Sequence, residues 1–304
     1  MNESSYTGKG TDFYVASPQV AEIVNLAVDL DRPLLVEGEP GCGKTMLAYS
    51  IAAEKKLDVI KISVKSTTRA QDLLYRSNAL RRLQDAQNPT NEQARFLYPY
   101  LSLGPLGQAI HRKERCVVLI DEVDKADIDF PNDLLDVLDR FSFQIEDLPL
   151  EEEASCLSSR GFGRTVHGES GQHPIVVITS NREKRLPEPF LRRCLYVRLL
   201  FPRDASELRD IVRKNTRLTP RELGENVLDA AIGSFLAVRD TAVGNTQKPP
   251  STGELIDWVR ILYWKKATEE SLQGSPALPP YWETLFKTMS DLDSYPGLAQ
   301  RRQG

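Results

Sequence analysis

"EGEPGCGKTML", residues 37–47, is the stretch whose reading decides the fold. It sets Gly38, Gly41 and Gly43 around Pro40 and closes on Lys44 and Thr45. Glycine has no Cβ, so a chain punctuated in this way folds around an anion with its N–H groups turned inward. A helix opening at the end of the stretch adds the positive end of its dipole. In the spacing G-x-x-x-x-G-K-[ST], the lysine reaches the β- and γ-phosphates of a nucleotide and the hydroxyl reaches Mg²⁺. Such a string arises by accident in about one chain of this length in a hundred. The plainer alternative is a Gly-rich turn, and the flanking residues argue against it. Upstream, "RPLLVEG" (32–38) is a short apolar run that suits a strand buried on both faces. Downstream, "KTMLAYSIAAEKK" sets Met46, Leu47, Ser50 and Ile51 on one helical face and ends in two lysines. The binding loop then comprises Gly38, Glu39, Pro40, Gly41, Cys42, Gly43, Lys44, Thr45 and Met46.

Working outward, the chain has 304 residues, 40% of them hydrophobic, enough for a full core and more readily two domains than one. Its 39 lysines and arginines against 43 acids give a formal charge of −4, which offers no electrostatic reason to expect nucleic acid as a partner. The N-terminus "MNESSYTGKGTDF" lacks the apolar core of a secretory signal, and no run approaches the ~20 apolar residues that span a bilayer. Cysteines at 42, 116, 156 and 194 show no C-x-x-C spacing and read as reduced thiols of a cytoplasmic protein. Cys42 lies where a helix dipole lowers a thiol pKa, although a small filler residue explains it as well. The three histidines have no partners at metal-ligand spacing.

Apolar strands alternate with helical stretches from residue 32 to about 202, the pattern of a parallel α/β sheet. After "RPLLVEG" come "DVIKISV" (58–64), "CVVLIDEV" (116–123), "PIVVITSN" (174–181) and "LYVRLLFP" (195–202). Helical patterning then runs almost unbroken from 204 to 295, so the expected organisation is an α/β nucleotide-binding domain over 1–202 and an all-α lid over 203–304. Two interruptions read as insertions. One spans residues 65–112. The other, 141–173, is rich in Glu, Ser and Gly and is expected to form a hairpin with a mobile tip.

"VVLIDE" (117–122) is the second informative cluster. A carboxylate at the carboxyl end of a parallel strand lies where ligands bind, which places Asp121 to hold Mg²⁺, directly or through water, and Glu122 to polarise an attacking water. Alone, an acidic pair there is a solvated strand end. Asn181 ends the next strand, where its amide can bond a γ-phosphate and the water, or simply form a turn. "LPEPFLRRCLYVRL" sets Arg192 and Arg193 just before the fifth strand. A guanidinium delivered from a subunit edge to a neighbour's phosphates accelerates transfer by roughly 10³-fold or more, whereas surface ion pairing is the alternative use.

Together "RPLLVEGEPGCGKT", "VVLIDEVDKAD", "VVITSN" and "LPEPFLRRC" resemble the Walker A, Walker B, sensor-1 and arginine-finger segments of AAA+ ATPases, and more closely the MoxR branch with its CoxD-like and dynein-related members. The likeness covers most of residues 12–260. It implies a P-loop αβα sandwich with a five-stranded parallel sheet and a helical lid, and an ATPase using ATP and Mg²⁺. It further implies a chaperone-type role in a homo-oligomeric ring of about six subunits, with ATP between neighbours and Arg193 or Arg192 as the finger. MoxR-like proteins typically act with a von Willebrand factor A domain protein. Tyr14 and Val15 match the segment that packs near adenine. One departure stands out. The lid turn that usually supplies a sensor-2 arginine reads "STG", with Gly253, which leaves lid coupling to the γ-phosphate either weak or dependent on another residue such as Arg260. Two other classes compete: a nucleic-acid-linked motor or switch, disfavoured by the acidic second insertion, and an ATP-binding scaffold with little turnover, disfavoured by Glu122.

Overall fold

The computed structural model describes residues 5–88, 91–242, 249–273 and 279–286. Among these residues nine strands run in chain order: β1 Leu34–Gly38, β2 Val59–Ser63, β3 Tyr75–Ser77, β4 Leu101–Leu103, β5 Val117–Asp121, β6 Ser142–Gln144, β7 Thr165–His167, β8 Ile175–Ser180 and β9 Leu195–Leu199. Five of them form one parallel sheet in the order β2-β5-β8-β1-β9. All five expected strands are present, each within a residue or three of its apolar run. The central strands are buried on both faces, from Val117 to Ile120 and from Val176 to Ile178, because helices cover the two sides of a parallel sheet. The register pairs Leu34 with Val177 and Val117 with Ile175. Parallel pairing therefore brings the carboxyl ends of β1, β5 and β8 to the same edge, where ligands bind in open α/β sheets.

Contacts gather into two compact units. The first is drawn from Met1–Thr11, Ala16–Gly38 and Lys44–Arg198, the second from Asp12–Val15, Glu39–Gly43 and Leu199–Gly304. In the first, Lys44–Lys55 is helical and buries Leu47, Ala48, Ile51 and Ala52. Met46 departs from the expected apolar face. It is 37% exposed, because the side that packs is set by Leu47 and Ala48. In the second, helices Ala205–Thr216, Glu225–Ala242 and Thr252–Trp264 enclose a core of Leu208, Leu228, Phe235, Leu255 and Trp258. Trp258 is fully buried and its indole N–H donates to the Pro280 carbonyl at 2.7 Å. The helical reading was too continuous. Residues 220–224 precede the middle helix rather than belonging to it, and the patterning over 287–295 lies outside the described residues.

The second insertion is also more ordered than a loop. Strands β6 and β7 pair antiparallel at its base, and between them Glu153–Arg160 forms a helix. Phe143, Ile145, Leu148, Cys156, Phe162 and Val166 join the core of the first unit. Glu152, one of a run of three glutamates, is 7% exposed, and its carboxylate accepts from the backbone N–H groups of Leu97 at 2.6 Å and Tyr98 at 2.9 Å. The acids thus include an internal anchor that ties the second insertion to the first. Replacing Glu152 by Ala leaves two part-buried N–H donors without their carboxylate and is expected to lower stability by about 2 kcal/mol. Glu151→Ala, at an exposed neighbour, should change it by less than about 0.5 kcal/mol. Urea unfolding followed by far-UV circular dichroism checks the pair. Equal effects would remove the anchor.

Candidate functional site

Asp121 ends β5 almost fully buried, and three side chains converge on its carboxylate. The Thr45 hydroxyl donates to Oδ1 at 3.0 Å, the Thr179 hydroxyl donates to the same oxygen at 2.7 Å, and Lys61 Nζ lies 2.8 Å from Oδ2. Burial pushes the Asp121 pKa up, but the bonds from Lys61, Thr179 and Thr45 outweigh it and hold the carboxyl below the usual range. Thr45 and Asp121 are 76 positions apart in the chain. Lys44 is buried beside them, and its ammonium donates to the Gly38 carbonyl at 2.8 Å. Thr179 and Lys61 are residues that sequence reasoning missed. A threonine inside an apolar strand reads as a β-branched filler, and a lysine in the alternating β2 reads as a solvated face.

Glu122 follows in a left-handed conformation, φ 61° and ψ 51°. Its N–H donates to Thr179 Oγ1 at 2.8 Å, so one hydroxyl serves both acids of the pair. The Glu122 carboxylate accepts from Asn181 Nδ2 at 3.1 Å and is paired with Lys125 Nζ at 2.5 Å. Asn181 is thereby brought to Glu122. Its own N–H, with that of Glu183, is held by Asp124 Oδ2, a buried acid that the sequence reading passed over. Asp124 Oδ1 is the one buried side-chain oxygen or nitrogen without a partner among the described residues.

Within the second unit, the loop Glu39–Gly43 depends on its glycines. Gly41 has φ +77° and Gly43 φ +92°. A Cβ at Gly41 would overlap the Ser251 side chain, and one at Gly43 would stand 3.0 Å from the Tyr14 ring. Tyr14 accordingly sits on the loop, while Val15 and Pro40 are exposed. The Gly41 carbonyl accepts from the Thr252 hydroxyl at 2.5 Å, and Cys42 N–H closes a turn on the Glu39 carbonyl at 3.3 Å. Cys116, Cys156 and Cys194 are free and buried, and burial raises each thiol pKa, that of Cys194 to about 12.

The remaining candidates stand apart. Arg192 and Arg193 lie in the last turn of the helix Glu188–Arg193. Arg192 is strongly exposed and pairs with Glu188 at 2.7 Å, while Arg193 pairs with Asp139 at 2.5 Å. Their carbonyls both accept from Arg32, which fixes the backbone that carries them. Arg260 is exposed and pairs with Asp257 at 3.2 Å and with the Asn215 carbonyl at 3.1 Å. Gly253 is exposed, immediately before the Glu254 that completes the capping box with Ser251.

Among the described residues, no helix is long and apolar enough to cross a membrane. No curated protein sequence matches the chain. Among solved structures it is similar to a mutant of Thermotoga maritima RuvB, at 15% identity and a TM-score of 0.46 over 83% of this chain and 71% of that one. The profile of the ATPase family associated with various cellular activities matches residues 34–203, more than half of the chain and the whole span from β1 past β9. On that match, with the five-stranded parallel sheet beneath it, the chain belongs to the AAA family of ATPases.

Proposed function

We propose that the protein is a MoxR-like AAA+ ATPase of the cytoplasm that couples ATP hydrolysis to remodelling or maturing a protein partner. The observation that carries the nucleotide part is the 3.0 Å hydrogen bond between Thr45 and Asp121, which unites the two sequence motifs at one sheet edge. The donors fit the implied cofactor. A hydroxyl and a carboxylate are hard oxygen ligands of the kind Mg²⁺ takes, and that ion ordinarily completes its shell with phosphate oxygens and water. When bound, Mg²⁺ neutralises charge on the phosphates. Thr45 and Asp121 would hold it. Lys44 would meet the β- and γ-phosphates, Tyr14 and Val15 the base, and Glu122 would take the proton of the attacking water. Asn181 orients Glu122 through its amide and can bond the same water. The domain assignment, 1–202 for nucleotide and 203–304 for the lid, belongs to this reading.

The partner reading rests on resemblance. A ring of about six subunits would place Arg192 or Arg193 against a neighbour's phosphates, with a von Willebrand factor A domain protein or another protein client as the partner. The acid-rich second insertion and the net charge of −4 count against a nucleic-acid track.

Lys44→Ala should weaken ATP binding about a hundredfold, equivalent to about 2.8 kcal/mol, measured by calorimetric titration. Near-normal affinity in that variant would remove the phosphate role. Glu122→Gln should retain ATP affinity while hydrolysis falls about 10²- to 10⁴-fold, since an amide cannot accept the water's proton. If hydrolysis is completed between subunits, Arg193→Ala and Glu122→Gln proteins, each nearly inactive alone, should regain activity when mixed. Sedimentation of Glu122→Gln with and without ATP then reads assembly directly. No recovery on mixing, with a monomer in both conditions, would refute the shared site.

A further inference from the structure

Arg239 is the most deeply buried arginine among the described residues, 5% exposed in the helix Glu225–Ala242. A guanidinium out of water demands compensation. Three groups of the second unit supply it. Nη2 meets the Glu39 carboxylate, Nη1 donates to the Pro250 carbonyl, and the guanidinium carbon lies 3.5 Å from the centroid of the Phe201 ring. Burial works against the charge on Arg239 and Glu39 works for it. The three contacts use the planar, forked geometry of arginine, which lysine does not reproduce.

The partners are not equivalent. Pro250 immediately precedes Ser251 and Thr252, which touch Gly41 from outside the loop. Glu39 is the first residue of the loop itself, 55% exposed at its side chain, and its carbonyl accepts the turn-forming N–H of Cys42. The same guanidinium thus fixes the loop at Glu39 and fixes the turn whose next two residues rest on Gly41.

We propose that Arg239 is a positioning residue of the phosphate loop, latching Glu39 so that Glu39–Gly43 keeps the backbone shape that receives the phosphates of a nucleoside triphosphate. The nucleotide part rests on the function proposed above; the latch itself does not. Because Glu39 is half exposed, Glu39→Gln removes the charge pair with little threat to the fold. Arg239→Lys keeps the charge and loses the fork.

Two measurements separate the claims. Hydrogen exchange of nucleotide-free protein reads the loop directly, and Glu39→Gln should speed exchange in a peptide covering residues 39–45 about tenfold, with exchange in the sheet strands unchanged. Titration with a fluorescent ATP analogue should show affinity reduced about tenfold in Glu39→Gln and in Arg239→Lys, with turnover at saturation kept in Arg239→Lys, and the double variant no weaker than the worse single one. Unchanged loop exchange in Glu39→Gln overturns the latch, even if Arg239→Lys fails to fold. Effects that multiply in the double variant overturn it too, since independent residues behave that way. A wild-type chain that binds no ATP analogue would instead overturn the nucleotide reading, and loop exchange would still decide the latch.

Discussion

The carboxylate of Asp121 is the constraint on which the first unit's site depends. A buried acid is costly unless its lone pairs are occupied, and here Thr45, Thr179 and Lys61 occupy them from three different elements. Each partner must be delivered by backbone. Lys61 comes from the neighbouring strand β2, whose register with β5 sets Lys61 opposite Leu119, two residues before Asp121 and on the same face. Thr179 comes from β8 on the other side, one residue before Ser180 ends the strand. Thr45 enters on the first turn of the helix that follows the glycine loop. A sheet in any other register would leave the acid exposed or unpaired.

From that hub the second acid inherits its geometry. Glu122 occupies the left-handed region, which costs a non-glycine residue of order 1 kcal/mol or more and persists only where the surroundings determine it. The surroundings are visible: Thr179 holds its N–H, Asn181 and Lys125 hold its carboxylate, and Asp124 holds the backbone of Asn181. Thr179 therefore joins the two acids through one hydroxyl. The strain falls on the backbone of the residue to which the proposed chemistry gives the base role.

Much of this was legible in the chain because strands buried on both faces have no polar alternation to blur them. "VVLID" and "IVVITS" read as unbroken apolar runs, and the glycine spacing marks the two positions of the loop, Gly41 and Gly43, where φ is positive. What stayed hidden depends on pairing across the chain. Lys61 looks like a solvated strand residue until β2 is set beside β5. Glu152 looks like one acid of a solvated run until Leu97 and Tyr98 are brought to it over more than fifty positions. Met46 was misread for a related reason, because a helix start tells which residues share a face but not which of two apolar faces will be covered.

Arg239 extends the same argument to the second unit. Its distance from Glu39 in sequence is 200 positions, and nothing in "FLAVRD" distinguishes it from a solvated helix arginine. Only burial does. Asp121 and Arg239 are opposite charges with the same problem, each forced out of water within its own unit and each met by partners from distant stretches of the chain. Glu39 joins the beginning of the loop Glu39–Gly43 to the arginine of the helix Glu225–Ala242. A loop of glycines has little conformational preference of its own. Its shape is therefore held from outside, and within the second unit the buried charge of Arg239 holds it at Glu39.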